Sequence, residues 1–124
     1  KEIYKRDKRL NPESIEKGKN PTNVWEIGRL NGNSVERVGH PTQKPIELGR
    51  YLIRTFTNPG DVVLDNACGS GSFLLSAILE KRQFIGIEKN EDVLLHKVKP
   101  IDYIKICNDR IQETLSLFDM FIVK

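Results

Sequence analysis

The 124-residue chain has few of the residues that cross-link a fold, hold a metal or anchor a protein in a membrane. Its two cysteines, Cys68 and Cys107, are too few for a disulfide framework, and its two histidines show no metal-ligand spacing with them. No apolar run approaches the roughly 20 residues that span a bilayer, and the lysine-rich amino terminus lacks an apolar signal segment. The sequence therefore predicts no metal centre, no membrane contact and a cytoplasmic location with reduced thiols.

Positive and negative charges balance along the chain, except in residues 1–20. Lys and Arg number 20 against 17 Asp and Glu, and the whole surplus of three lies within residues 1–20. A basic segment attached to a neutral domain is typical of contact with nucleic-acid phosphates, and a solvated tail is the alternative.

Because the chain begins with lysine and Met120 is its only methionine, we expect a piece of a longer protein.

Two apolar runs separated by a glycine-rich turn indicate the fold class. Val62–Leu64 is predicted as a buried strand, residues 72–82 as a helix and Phe84–Ile87 as a second strand. A strand–helix–strand unit of about 25 residues implies parallel strands with a right-handed crossover. The predicted class is therefore α/β, with a partial parallel sheet and flanking helices.

Two further helices are predicted on either side of this unit. Pro45 suits the first turn of a helix, and Ser70 or Ser72 is a candidate cap for the helix over residues 72–82. The apolar face of the first helix carries Leu48, Tyr51, Leu52 and Phe56. A last helix begins after Asp102, a candidate cap, and we interpret its apolar stripe as core: Ile104, Cys107, Ile111, Leu115 and Phe118.

Residues 1–39 are predicted as a loop-rich basic segment and residues 40–124 as a separate part of the chain. Val24–Ile27 is compatible with a short strand, and Asn31–Ser34 is a strong turn signal. Trp25 is expected to pack under that turn, with stacking on a base as the alternative.

The turn Asp65–Gly71, with the sequence DNACGSG, suggests a ligand site. Gly69 and Gly71 lack a Cβ, so a nucleotide-like ligand can approach the backbone at the carboxyl end of the first strand. Glu88 ends the next strand, about 20 residues later, where an acidic side chain can accept hydrogen bonds from both ribose hydroxyls. An ordinary tight turn and a solvated carboxylate are the alternatives.

Charge decides among nucleotide-like ligands. Leu74 stands where a dinucleotide fingerprint has its third glycine, and no Gly-Lys-Ser/Thr follows, which disfavours NAD and ATP. Asp65 would repel a pyrophosphate, but it would attract the ammonium of an amino-acid ligand. S-adenosylmethionine carries that ammonium and no phosphate, so it is the predicted cofactor.

Three segments together resemble the amino-methylating DNA methyltransferases of the permuted β group, which methylate adenine N6 or cytosine N4. They are His40–Pro45 (HPTQKP), Val63–Ser72 (VLDNACGSGS) and Phe84–Glu88 (FIGIE), in the family's order and spacing, within roughly residues 23–113. The resemblance implies a Rossmann-like S-adenosylmethionine-dependent methyltransferase fold, with double-stranded DNA as a partner. It places residues 1–39 at the end of a target-recognition region and residues 40–124 in the cofactor-binding part.

The family's roles carry over to the matching positions. Thr42 and Lys44 would hold the carboxylate end of the cofactor, and Glu88 would hold the ribose. The predicted cofactor-binding set comprises Thr42, Lys44, Asp65, Asn66, Ala67, Gly69, Ser70, Gly71 and Glu88. No metal ligand and no catalytic residue is predicted within the chain.

Departures from the family pattern shape the functional prediction. Asn66-Ala67-Cys68 replaces the usual Pro-Phe-x, with Cys68 as a small apolar filler, and residues 91–100 resemble an insertion. The family's catalytic loop, Asp/Asn/Ser-Pro-Pro followed by an aromatic residue, does not occur in this sequence.

We therefore predict the C-terminal, S-adenosylmethionine-binding part of a site-specific DNA methyltransferase, with adenine N6 preferred to cytosine N4 as the target. It would be inactive alone and would need the missing N-terminal part of the same protein. The alternatives are a catalytically silent cofactor-binding subunit and a methyltransferase that acts on RNA or a small molecule. A homodimer is compatible with the family, but no feature of the sequence marks its interface.

Overall fold

Two parallel strands and three helices make up the part of the chain that the computed structural model describes, residues 24–90 and 101–121. In chain order they are α1 (Ile46–Phe56), β1 (Val62–Asp65), α2 (Ser72–Leu79), β2 (Gln83–Gly86) and α3 (Tyr103–Phe121). The strands pair with Val63 opposite Phe84 and Asp65 opposite Gly86, and α2 connects them. The predicted strand–helix–strand unit is therefore confirmed. The predictions for residues 1–23, for residues 91–100 and for the side chain of Phe118 lie outside the described residues.

Helix α1 begins where Pro45 predicts. Pro45 is its N-cap with φ −61° and ψ 138°, and the N–H of Ile46 donates to Glu36 Oε1 at 2.8 Å. The helix packs closely on α2 at Gly49. The absence of a side chain at Gly49 allows this approach, since a Cβ there would collide with Ser76. The predicted apolar face is wrong at Phe56, which is 73% exposed. Phe56 is the last residue of the helix. The carbonyl of the next residue, Thr57, accepts a hydrogen bond from Arg82 Nη2, so a polar side chain lies at this end of the helix.

The core lies between α2, α3 and the sheet. Its buried members are Leu74, Cys107 and Ile111, and partly buried Cys68, Ile78 and Phe84 pack against them. Cys68 therefore fills space in the core, as predicted.

Helix α3 is capped as predicted, because Asp102 Oδ1 accepts the N–H of Lys105 at 2.9 Å. Its predicted apolar stripe is only partly right, since Ile104 and Leu115 are 43% and 40% exposed. The buried face instead includes Tyr103 and Arg110. Both are drawn inward by contacts with residues that precede α2 in the chain.

Two local predictions are wrong. Val24–Ile27 forms no strand among the described residues. Trp25 packs against Tyr51 of α1, with ring centroids 5.0 Å apart, and its packing under the turn at Asn31–Ser34 stays a prediction. The N-cap of α2 is Gly71, which has no side chain to accept a hydrogen bond, so neither predicted serine caps this helix.

One face of the sheet is bare in the described part of the chain. The apolar residues on this face are each more than half exposed: Val62 (55%), Leu64 (62%), Ile85 (54%) and Ile87 (55%). Adjacent large apolar side chains of this kind are typical of a surface that another part of a protein covers. Among the described helices none combines the length and apolarity that crossing a membrane requires.

Candidate functional site

An open cleft of about 400 Å³ lies at the carboxyl end of β1. One wall is the segment before α1, and the other is the end of β1 with the glycine turn and the first turn of α2. The lining residues are His40, Thr42, Gln43, Lys44, Val63, Leu64, Asp65, Ala67, Cys68, Gly69, Ser70, Ser72 and Phe73. The carboxyl ends of parallel strands are the usual place for ligands in open α/β sheets.

The glycine turn has a backbone that only glycine adopts easily. Gly69 and Gly71 have φ of +51° and +82°. A Cβ at Gly69 would lie 2.7 Å from His40 Nε2, and one at Gly71 would lie 2.5 Å from Cys107 Sγ. The turn is closed by the N–H of Gly71, which donates to the Cys68 carbonyl at 2.7 Å. Both conformation and crowding therefore require glycine here.

The opposite wall is anchored through His40. Its ring packs on Tyr103 of α3, with centroids 4.6 Å apart, and its Nδ1 accepts the N–H of Thr42 at 3.2 Å. Since Nδ1 acts as an acceptor, a neutral His40 carries its proton on Nε2, which lies 2.7 Å from the position that a Cβ on Gly69 would take. His40 thus joins the HPTQKP segment to both the glycine turn and α3.

Two carboxylates stand at the strand ends. Asp65 Oδ1 accepts the N–H of Ala67 at 3.2 Å. Glu88 lies behind the turn, where its Oε2 accepts the N–H of Gly69 at 2.7 Å and its Oε1 accepts that of Asn90 at 3.1 Å. Glu88 therefore fixes the glycine turn directly, a structural task that the sequence pattern did not reveal.

A buried arginine holds the turn from the side of α3. Arg110 is 9% exposed, and its Nη1 donates to the Ser70 carbonyl at 2.6 Å and lies 3.3 Å from Ser70 Oγ. Nearby, burial together with the neighbouring Cys107 raises the pKa of Cys68 to about 12, so this thiol stays protonated and unreactive. The turn is thus held by hydrogen bonds to the charged side chains of Glu88 and Arg110, and its own Cys68 thiol packs against the core.

Six of the nine predicted cofactor-binding residues line this cleft: Thr42, Lys44, Asp65, Ala67, Gly69 and Ser70. Asn66, Gly71 and Glu88 are not among its lining residues, although each lies within the turn or is bonded to it. The roles of all nine residues toward a cofactor stay predictions.

Several residues outside the predicted cofactor-binding set also contribute. His40, Gln43 and Phe73 line the cleft, and Arg110 supports it. The position of His40 in the HPTQKP segment was a signal for it, whereas nothing in the hydrophobic pattern of α3 marks Arg110. Among the described residues no group of three His, Cys, Asp or Glu side chains could hold a metal ion.

Comparison with known proteins identifies relatives of the chain. A family model described as "DNA methylase" matches residues 1–97, so the match starts and ends earlier than the resemblance predicted. DNA adenine methyltransferase YhdJ of Escherichia coli (strain K12) is 39% identical over 91 residues, which cover 73% of this chain and 31% of the relative. Type II methyltransferase M.HpaI of Haemophilus parainfluenzae is 34% identical over 103 residues, which cover 83% of this chain and 30% of the relative. The chain thus spans about 30% of the length of these curated relatives.

Solved structures show the same likeness. The M1.HpyAVI–SAM complex is 31% identical, with a TM-score of 0.54 over 75% of this chain and 42% of that one. The PvuII DNA methyltransferase, described as cytosine-N4-specific, is 26% identical, with a TM-score of 0.50 over 74% of this chain and 38% of that one. The predicted Rossmann-like methyltransferase fold, present here as a partial parallel sheet with flanking helices, is confirmed.

Proposed function

Since this chain belongs to the DNA methylase family, we propose that it forms the S-adenosylmethionine-binding part of a DNA methyltransferase that acts on an exocyclic base amine. The observation that carries the proposal is the cleft between residues 40–44 and the glycine turn, at the carboxyl end of β1. Adenine N6 is proposed as the target, because a relative that is 39% identical is named as a DNA adenine methyltransferase.

The amino-acid end of the cofactor suits the charges of this cleft. Lys44 and Asp65 both line it, and they would pair with the carboxylate and the ammonium of the methionine moiety. Asp65 would repel the pyrophosphate of NAD or the triphosphate of ATP. A volume of about 400 Å³ is also in the usual range for a small-molecule site.

Glu88 is proposed as the acceptor for the ribose hydroxyls. A carboxylate offers about four acceptor positions, and Glu88 uses one for Gly69 and one for Asn90. The remaining capacity can receive two hydroxyl groups from a ribose that extends past Gly69. The same side chain would then set the shape of the turn and bind the ligand that rests on it.

The bound cofactor would supply a methyl group on a sulfonium. An exocyclic base amine is a poor nucleophile because its lone pair is delocalised into the ring, so the enzyme must place it in line with that methyl group. The base must also leave the duplex. The sequence contains no Asp/Asn/Ser-Pro-Pro-aromatic tetrapeptide to orient the amine. We propose that residues outside these 124 do so, and that they cover the bare apolar face of the sheet.

Calorimetric titration of the chain tests the proposed cofactor. S-adenosylmethionine or S-adenosylhomocysteine should bind, and NAD and ATP should not; a preference for NAD would refute the assignment. Glu88→Gln removes the charge at nearly constant size and should weaken binding by about 10–100-fold, as expected for a hydrogen bond to a charged group. The control is Glu113→Gln, which removes a charge from the exposed side of α3 and should leave the affinity unchanged.

A transfer assay tests the division of labour. The chain is incubated with labelled S-adenosylmethionine and duplex DNA of many sequences, and label in the DNA is measured. We expect none from the 124 residues and activity once an upstream segment with the proline loop is joined to them. Methylation by the chain alone would place the catalytic group within it.

A further inference from the structure

A second cleft, of about 450 Å³, lies beside the first. The two share the wall formed by His40, Thr42, Gln43 and Lys44. Its other wall is the loop that runs from Arg29 through the turn at residues 31–34 to Arg37. Three cations line it, and no carboxylate does so within the described part of the chain.

These cations are available to a ligand. Arg29, Arg37 and Lys44 are all exposed, and within residues 24–90 and 101–121 none of them forms an ion pair. By contrast, Arg50 and Lys105 each meet a carboxylate at 2.6 Å. A cleft that carries unneutralised charge of one sign concentrates ligands of the opposite sign.

The loop is also held in a fixed shape. Gln43 spans it from below: its Nε2 donates to the Glu36 carbonyl at 2.6 Å, and its Oε1 accepts the N–H of Val38 at 2.9 Å. The N–H of Arg37 donates to the Ser34 carbonyl at 3.0 Å. A preformed loop loses little conformational freedom when a ligand binds, which favours binding.

We propose that this cleft binds backbone phosphates of the DNA, with Arg29 and Arg37 as the contacts. The inference rests on the proposed function, because a duplex is the polyanion that such a protein must hold. Guanidinium groups suit phosphate oxygens, which they can bind in pairs. Contacts of this kind carry no sequence information but fix the position of the duplex. Because the two clefts share a wall, the strand lies next to the cofactor cleft.

The test compares two variants with equal loss of charge. Arg37→Gln removes one of the proposed contacts, whereas Lys81→Gln removes an exposed charge that lines neither cleft and forms no ion pair within the described residues. Binding of a fluorescein-labelled duplex is followed by anisotropy at several KCl concentrations. The arginine variant should bind at least about tenfold more weakly at low salt, and its salt slope should fall by roughly 0.9 for each phosphate that is no longer neutralised. The lysine variant should keep the wild-type slope.

An unchanged slope in the arginine variant, or an equal fall in both variants, would overturn the proposal. Circular dichroism establishes that each variant is folded, and titration with S-adenosylhomocysteine separates this inference from the proposed function. Cofactor binding without an arginine-specific DNA effect refutes the phosphate cleft alone. Failure of the wild-type chain to bind the cofactor refutes the proposed function, and an arginine-specific DNA effect would still support the cleft.

Discussion

Replacing Gly69 by alanine probes both the backbone of the glycine turn and its contact with the HPTQKP segment. With φ of +51°, an alanine here adopts the left-handed region at a cost of about 1–2 kcal/mol. Its Cβ would also lie 2.7 Å from His40 Nε2 and 3.2 Å from Cδ2, so the imidazole must shift and its packing on Tyr103 is disturbed. Crowding of this kind costs a further ~1–3 kcal/mol, so Gly69→Ala should lower the free energy of unfolding by about 2–5 kcal/mol in total.

Two other glycines separate these contributions. Gly39 has φ of +84° and no atom within 4 Å of the position that a Cβ would take, so Gly39→Ala measures backbone strain alone. Gly32 also has open space and no positive φ, so Gly32→Ala is the baseline. We expect a loss near zero for Gly32→Ala, about 1–2 kcal/mol for Gly39→Ala and the largest loss for Gly69→Ala.

Urea unfolding followed by circular dichroism gives the three free energies, and calorimetry gives the affinity for S-adenosylhomocysteine. Because His40 lines the cleft, its displacement should weaken the cofactor by at least about tenfold in Gly69→Ala, whereas Gly39→Ala should bind normally. Equal destabilisation by the Gly69 and Gly39 variants, with normal affinity in both, would show that His40 does not press on the turn.

Two further predictions concern the groups around the turn. With the pKa of Cys68 raised to about 12, iodoacetamide at pH 8 should modify this thiol at least about 100-fold more slowly in the native chain than in urea, and similar rates would contradict its burial. Arg110→Met keeps an unbranched apolar stem but removes the guanidinium and its hydrogen bond to the Ser70 carbonyl. It should lower the free energy of unfolding by about 1–3 kcal/mol and weaken cofactor binding, and calorimetry that shows full affinity would assign Arg110 to the core alone.

The order of elements around the site could be predicted from sequence because it depends on local rules. A short apolar run, a glycine turn and a second apolar run leave few folds besides a parallel strand–helix–strand unit. Pro45 predicts a helix start because it has no N–H group, and Asp102 does so because its carboxylate can accept an N–H of the first turn. In the structure each stands immediately before its helix. The glycines of the turn are explained by conformation, which is also a local property.

The side-chain contacts of the site depend on tertiary structure, and the sequence pattern does not encode them. Hydrophobic periodicity predicts that Ile104 and Leu115 face the core, yet α3 turns Tyr103 and Arg110 inward instead. A buried arginine is stable there because the Ser70 carbonyl accepts its hydrogen bond, and no count of apolar residues anticipates that bond. In the same way, Glu88 matches a ribose-binding position in sequence, but only the fold places it against the Gly69 N–H.

The segment from residue 40 to residue 44 explains how one chain could place two ligands relative to each other. Its His40 end is fixed by Tyr103, and its Gln43 side chain is fixed by the Glu36 and Val38 backbone. The cofactor cleft lies on one side of this segment and the basic cleft on the other. A methyl transfer to an amine depends mainly on alignment, and an error of about 1 Å can cost a hundredfold in rate. A single rigid wall that carries cofactor contacts on one face and phosphate contacts on the other would hold that alignment without a moving part.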